Sequence, residues 1–260
     1  MDLRGDPLAL HLRALVERFP AVLRPALLRQ LPRARFEAGV VGPPRGAGTL
    51  VDLGAGLSLL PLACARLGWR VTAVDDQHLD HAGYDFGLHR EAGVTVERAD
   101  LLAWRPAAAT GAAASAASFE AAVCIDVLEH LHHSPRPLFT AVARALAPGG
   151  LLLLGAPNAA NLRKRLALPL GLSTWSRFDD WWQPETFRGH VREPTLGELR
   201  RMVRALGLRE EAVFGRSFQG HYRGGLAALA ARALELPLRA LPQLASDLYL
   251  RARKPGASSS

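Results

Sequence analysis

Three acidic residues, each closing a short apolar run, are the part of this sequence best suited to chemistry. The first is Asp52 in Thr49-Leu-Val-Asp-Leu-Gly-Ala-Gly-Leu-Ser58, a strand pattern that runs into a glycine loop opening a helix. Gly54 and Gly56 carry no side chain, so a bulky ligand can touch the backbone around Ala55. A dinucleotide fingerprint needs a third glycine at position 59, where Leu59 stands. A carboxylate just ahead of the loop also repels a pyrophosphate, but suits a ligand with an ammonium or sulfonium group. The second acid is Asp75 in Val71-Thr-Ala-Val-Asp75-Asp76, placed where a carboxylate can accept both ribose hydroxyls of an adenosine. The third is Asp100 in Val96-Glu-Arg-Ala-Asp100-Leu101. Each alone reads as a loop carboxylate or a helix cap; three at successive strand ends point to one binding site.

A second group surrounds Cys124-Ile-Asp126-Val-Leu-Glu129-His130-Leu-His-His133. Asp126, Glu129 and His130 share one face if the turn is helical. An imidazole that titrates near neutrality can take the proton of a hydroxyl, which makes His130 the first candidate base. His190, in Phe187-Arg-Gly-His190-Val-Arg192-Glu193, is the second. Glu129, His130, His190 and Arg192 are candidate substrate contacts, and Trp175, Trp181, Trp182 and Tyr222 can cover a ring or sugar face or form an ordinary lid core. No metal is expected, because a hard cation wants more oxygen ligands than the Asp126 to His130 run supplies.

The elements that position these residues follow a strand, helix, strand rhythm. Short strands are predicted at 49–53, 70–74, 94–97, 121–125 and 151–155, apolar enough for burial on both faces, with helices at about 58–67, 78–91 and 135–146. Such alternation argues a parallel sheet with helices on both faces. Ahead of it, Asp6-Pro7 caps a helix with Leu8, Leu12, Leu15 and Phe19 as its stripe, and a broken, Pro- and Arg-rich stretch follows to Gly48. Thr195 to Glu198 has capping-box spacing before a helix, strands are expected near 208–214 and 246–253, and 105–118 is low-complexity loop. The resulting division is a helical N-terminal cap over 1–48 and a main domain over 49–260, with lid insertions at about 156–194 and 216–244.

Composition bounds the classes. With 260 residues, 49% hydrophobic and 2 Cys, the chain is neither disordered nor a disulfide scaffold. No apolar run approaches the length of a membrane span, and the start lacks the order of a secretory signal, so a cytoplasmic location with reduced Cys64 and Cys124 is expected. Net charge is +8, yet residues 49–155 carry 7 basic and 11 acidic groups while 156–260 carry 17 and 9. Almost all the basic residues are Arg, so biased composition and solvated helix faces account for the charge better than a nucleic-acid partner does. The amphipathic 220–241 segment reads as packed on the domain, with shallow membrane attachment or a dimer contact as lesser alternatives. Monomer and homodimer both remain open.

The Asp52 loop resembles the first motif of class I S-adenosylmethionine-dependent methyltransferases, Asp-x-Gly-x-Gly-x-Gly, with Ser58 in place of the third glycine. That resemblance implies a Rossmann-like, seven-stranded, mostly parallel sheet with S-adenosyl-L-methionine as cofactor and S-adenosyl-L-homocysteine as product. It implies that Asp52, Gly54, Ala55, Gly56, Asp75, Asp76, Asp100, Leu101 and Asp126 meet the cofactor, Asp75 through the ribose, Asp100 and the Leu101 N–H through the adenine. The Cys124 to His133 run and Ala147-Pro-Gly-Gly150 are similar to the later motifs of ubiquinone-biosynthesis O-methyltransferases. Pro157-Asn158 and His190-x-Arg192 are similar, more loosely, to bacterial methyltransferases of sugars and other biosynthetic intermediates. The expected function is methyl transfer to a nucleophile, a hydroxyl oxygen for preference, on a small metabolite. An RNA methyltransferase and a catalytically inactive partner subunit are the alternatives.

Overall fold

The computed structural model describes residues 5–76, 84–106, 119–174, 176, 178–218 and 237–256. Within it a seven-stranded, mostly parallel sheet has the order β3-β2-β1-β4-β5-β7-β6. The strands are β1 (Thr49–Leu53), β2 (Arg70–Asp75), β3 (Thr95–Arg98), β4 (Phe119–Ile125), β5 (Leu146–Pro157), β6 (Arg209–Arg216) and β7 (Asp247–Arg253). The doubly wound arrangement expected from the sequence is present, and by its internal contacts the chain divides into two compact units.

The first unit holds residues 1–123, 138–152 and 253–260. It opens with α1 (Pro7–Val16), whose first turn is closed by Asp6 Oδ1 accepting from Ala9 N at 2.9 Å. Its buried residues are Ala9, Leu12 and Val16 with Phe19 beyond, so the stripe is rotated from the expected one and Leu8 and Leu15 are only half-buried. The stretch expected to be broken is instead a continuous 18-residue helix, α2 (Arg24–Val41). Pro25 falls in its first turn, where the missing N–H is unneeded, and Pro32 removes a single internal bond. Burial of Leu27, Leu31, Ala34, Ala38 and Val41, a clean helical stripe, outweighs that loss.

α3 (Leu60–Arg66) and α4 (Gly87–Glu91) follow β1 and β2; of the predicted 78–91 helix, 78–83 lie outside the described residues. β1 pairs in parallel with β2, and β2 with β3, in the register Asp52 to Ala73 and Asp75 to Arg98. β3 ends the sheet, and Thr95, Glu97 and Arg98 are exposed, which corrects the expectation of burial on both faces: it is an edge strand, blunted by charge.

The second unit holds residues 124–137 and 153–252. Its helices include α6 (Leu162–Ala167), α7 (Phe178–Trp182) and α8 (Leu196–Ala205), while α5 (Arg136–Ala145) begins in this unit and continues in the first. The capping box of α8 forms as the sequence predicts, Thr195 accepting from Glu198 N and the Glu198 carboxylate accepting from Thr195 N. β5 starts at Leu146 rather than 151, taking Ala147-Pro-Gly-Gly150 into the strand, and is buried from Gly150 to its end. Low-complexity residues 107–118, and 220–236 of the amphipathic segment, lie outside the described residues. Among the described residues no helix is long and apolar enough to cross a membrane.

Close packing at Gly155 fixes where β4 ends. A Cβ there would stand 3.0 Å from Ile125 Cγ1 and Cγ2 and 3.1 Å from Tyr249 Cδ1, while the Gly155 carbonyl accepts from Asp126 N at 3.0 Å. Gly155→Val should therefore overpack the sheet and cost about 1–3 kcal/mol, read as a lower denaturant midpoint at unchanged m value. A midpoint equal to wild type would show that the neighbours yield freely.

Candidate active site

In the first unit the end of β2 is tied to the glycine loop. Gly54 N and Ala55 N both donate to the Val74 carbonyl, at 2.8 and 3.2 Å, and Gly56 N donates to Asp75 Oδ2 at 2.8 Å. The loop is thus strapped to the end of β2. Gly54 and Gly56 have φ of 71° and 50°, in the left-handed region that favours glycine, and a Cβ on Gly56 would project into open space. Beyond β3, Ala99 N donates to the Asp75 carbonyl at 3.0 Å, and Asp100 Oδ1 accepts from Leu102 N at 2.9 Å. Asp100 is exposed and Leu101 is half-buried beside it.

Asp52 is 3% exposed. Burial, reinforced by the nearby charges of Glu37 and Asp75, pushes its carboxyl up to about 8. Glu37 comes from α2, a buried acid held by Arg33 at 2.7 Å, and has no counterpart among the residues singled out from sequence. The one sequence signal for it is its place on the α2 stripe beside Ala34 and Ala38.

In the second unit the histidines meet. Asp126, first after β4, has φ of 55°, a left-handed conformation that an aspartate tolerates at a cost of about 1 kcal/mol. A tight turn, Leu128–His130, follows rather than an α-helical one, so the predicted single-face arrangement is replaced by a compact corner. The Glu129 carbonyl accepts from Val191 N at 2.7 Å and Arg192 N at 3.3 Å, which sets the His130 and His190 rings edge to face with centroids 5.0 Å apart. Glu129, His130 and His190 each offer one donor atom within 4.8 Å of the others, a spacing compatible with a metal ion. Both histidines line a cavity of about 1960 Å³.

The two imidazoles are tuned in opposite directions. Desolvation, then the neighbouring His190, lowers His130, against a hydrogen bond to the backbone at Arg188, the charge of Asp126 and a hydrogen bond to the backbone at Gly189. His190 is raised, first by its hydrogen bond to Glu193, whose Oε1 lies 2.9 Å from Nδ1, and further by the charges of Glu129, Glu193 and Asp126, against desolvation. Glu193 also holds the Nζ of buried Lys164. Nothing in the sequence pattern marks Glu193 or Lys164 for a role in the site.

Among the other candidates, Trp181 lines the cavity, while Trp182 is 64% exposed and stacked on Phe178 at 5.6 Å. Arg192 is exposed and bonded to Glu198 rather than turned to the cavity. Trp175 and Tyr222 lie outside the described residues. Asp76 is half-buried and its carbonyl accepts from Arg98 Nε at 3.2 Å.

A methyltransferase-domain family model matches residues 14–213. The chain belongs to this family of class I S-adenosylmethionine-dependent methyltransferases. Curated relatives include the ubiquinone biosynthesis O-methyltransferases of Caulobacter vibrioides, 28% identical over 65% of this chain and 67% of that protein, and of Idiomarina loihiensis, 32% identical over 65% of each. In others the matched stretch falls to 63% and 57% of the relative's length. Among solved structures, a methyltransferase from Mesorhizobium loti has TM-score 0.51 at 21% identity, covering 87% of this chain and 98% of that one. A glycopeptide N-methyltransferase bound to S-adenosyl-L-methionine has TM-score 0.54 at 17% identity, covering 86% and 93%. At such identities these structures establish the Rossmann-like fold.

S-adenosylmethionine is the cofactor of the family, and the first unit fits it. The open space over Gly56 admits a ligand against backbone, and the buried acid favours a cation. Because the folded ligand-free protein keeps the Asp52 proton to about pH 8 while an unfolded aspartate loses it near 3.8, stability falls as pH rises between those values. A bound cation favours the ionised form, so binding below pH 8 releases a proton. Affinity for S-adenosylmethionine should accordingly tighten from pH 6 to 8 and level off above, with Asp52→Asn removing the slope. Calorimetry in buffers of different ionisation heat measures both effects, and a flat profile in the wild type would exclude this role for Asp52.

Proposed function

We propose that this methyltransferase transfers a methyl group from S-adenosylmethionine to a hydroxyl oxygen of a small biosynthetic metabolite, such as a phenolic, polyketide, sugar or lipid-linked intermediate. The observation that carries the reading is the pair of cavity-facing imidazoles, His130 and His190, with opposite electrostatic surroundings. The names of the curated O-methyltransferase relatives point the same way.

When bound, the cofactor supplies an activated methyl carbon whose bond to sulfur breaks as the acceptor's electron pair arrives. What the chain adds is placement, exclusion of water and proton handling. Asp75 and Asp100 hold the ribose and the adenine, and Asp52 favours the cationic end. His130 takes the hydroxyl proton, a task suited to an imidazole kept neutral near pH 7. Trp181 offers an aromatic wall to the acceptor's apolar body. Two buried cysteines, Cys64 and Cys124, not joined to each other, accord with a cytoplasmic location.

Incubation with the cofactor and a panel of hydroxylated acceptors should give a product heavier by one methylene, and His130→Ala should slow its formation about 10²-fold or more. Asp75→Ala should weaken cofactor binding by about 1–3 kcal/mol through lost hydrogen bonds. Absence of binding to both S-adenosylmethionine and S-adenosylhomocysteine would remove the enzymatic reading and leave that of a partner subunit.

A further inference from the structure

The glycine loop is held at its far end by two side chains from different helices. Gln30 of α2 donates from Nε2 to the Leu57 carbonyl at 3.2 Å, and Nε2 of His89, in α4, lies 3.1 Å from the next carbonyl along, that of Ser58. A carbonyl oxygen can only accept, so the proton of this second bond sits on His89 Nε2. A trans peptide carries its C=O and N–H on opposite sides of one rigid plane, and two held carbonyls therefore fix the Leu57–Ser58 and Ser58–Leu59 peptides just ahead of α3. Gly54 and Gly56 give the loop its unusual backbone shape, and these bonds limit its freedom where it ends.

His89 is set in place by more than its own helix. It is 1% exposed, where a polar ring needs hydrogen-bond partners. Its Nδ1 lies 3.2 Å from the Tyr84 hydroxyl, whose oxygen also accepts from Leu88 N at 3.1 Å. Phe19, Tyr84 and Phe86 pack around the ring with centroids 6.1, 5.9 and 5.2 Å away, and Phe19 and Tyr84 lie 4.9 Å from each other. Phe86, the residue before α4, has φ of 62°, a left-handed conformation that a bulky residue rarely adopts and that its surroundings must enforce. An apolar side chain would fill the same space with no buried polar group to satisfy. What the imidazole adds is its bond to the loop.

We infer that His89 is a positioning residue of the cofactor site which, with Gln30, clamps the Leu57–Ser58 end of the glycine loop in the shape that binds S-adenosylmethionine. The inference rests on the family's cofactor and is independent of the acceptor. Buried as it is, His89 acts through the main chain that it holds. The clamp thus serves S-adenosylmethionine and S-adenosylhomocysteine alike, since the two share their adenosine and amino-acid ends and differ at the sulfur. A contribution made through charge would separate them.

Calorimetry with both ligands on the full chain tests the clamp. His89→Phe keeps an aromatic ring among its neighbours and removes both nitrogens; it should weaken both ligands by the same factor, about fivefold or more, as expected when a buried carbonyl loses its donor. His89→Gln, whose amide nitrogen stands as many bonds from the backbone as Nε2, should recover most of that affinity although it packs worse among aromatic rings. Gln30→Met removes the bond from α2 and should weaken both ligands about threefold. Unchanged affinity in folded His89→Phe, a loss confined to one ligand, or a loss that His89→Gln fails to recover overturns the inference. Should the His89 variants not fold, unchanged affinity in Gln30→Met overturns it instead. Each of these results removes the clamp and leaves the cofactor and the proposed reaction standing, whereas a wild type that binds neither ligand removes all three.

Discussion

Burial of the Asp52 carboxyl beside two further acids is the constraint on which the first unit depends. Loss of water around a buried carboxylate disfavours its charged form, and the charges of Glu37 and Asp75 add to that cost. The site therefore takes up a proton or a cation, and in the ligand-free protein it is the proton, kept to about pH 8. Glu37 and Asp75 both contribute to that pressure, and they reach it from different elements, α2 and the end of β2. The glycine loop is shaped by the same group of acids, since Asp75 receives the Gly56 N–H. Charge, loop geometry and the space over Gly56 are thus compatible with one binding chemistry: a cation held against exposed backbone.

The second unit uses backbone more than charge to assemble its site. Hydrogen bonds from Val191 and Arg192 to a single carbonyl, that of Glu129, bring two segments together, and the paired rings of His130 and His190 follow from that junction. The left-handed Asp126 lets the chain leave β4 sharply enough for this, and Gly155 leaves room for Ile125 beneath it. Electrostatics then separates what geometry has made similar. Both imidazoles feel Asp126, but His130 is otherwise set by desolvation, backbone and the second imidazole, whereas His190 also faces Glu129 and Glu193, and such divergence is how a protein assigns unlike tasks to like side chains.

What is legible in the sequence is what is local. Asp52, Asp75 and Asp100 sit at strand ends, and a strand end is visible as an apolar run that stops, so both the elements and their chemistry can be read within a few residues. The Thr195 cap is legible for the same reason. α2 is not, because two prolines are strong local signals for breaking a helix whereas the stripe from Leu27 to Val41 matters only once another surface covers it. The composition of β3 fits a buried or an edge strand equally, and the edge position is a property of strand order. Glu193 and Lys164 are 29 residues apart, and no spacing rule joins them.

Ser58 is where the chain departs from the family's glycine pattern, and that departure is what makes an inactive subunit conceivable. In the structure the serine is integrated into the turn rather than obstructing it. Its hydroxyl accepts from Leu60 N at 3.0 Å, supplying one of the N-terminal partners that α3 would otherwise lack, and its carbonyl lies 3.1 Å from Nε2 of buried His89. The neighbouring Leu57 carbonyl accepts from Gln30 of α2 at 3.2 Å. A glycine in this position would allow closer approach of a ligand but would leave the turn less determined, with more conformational freedom lost on folding. Gln30 of α2 and the Ser58 hydroxyl together hold the loop from outside, while Gly54 and Gly56 keep the open conformation inside. The substitution thus changes how the loop is supported and leaves intact the two positions, Gly54 and Gly56, on which access to its backbone depends.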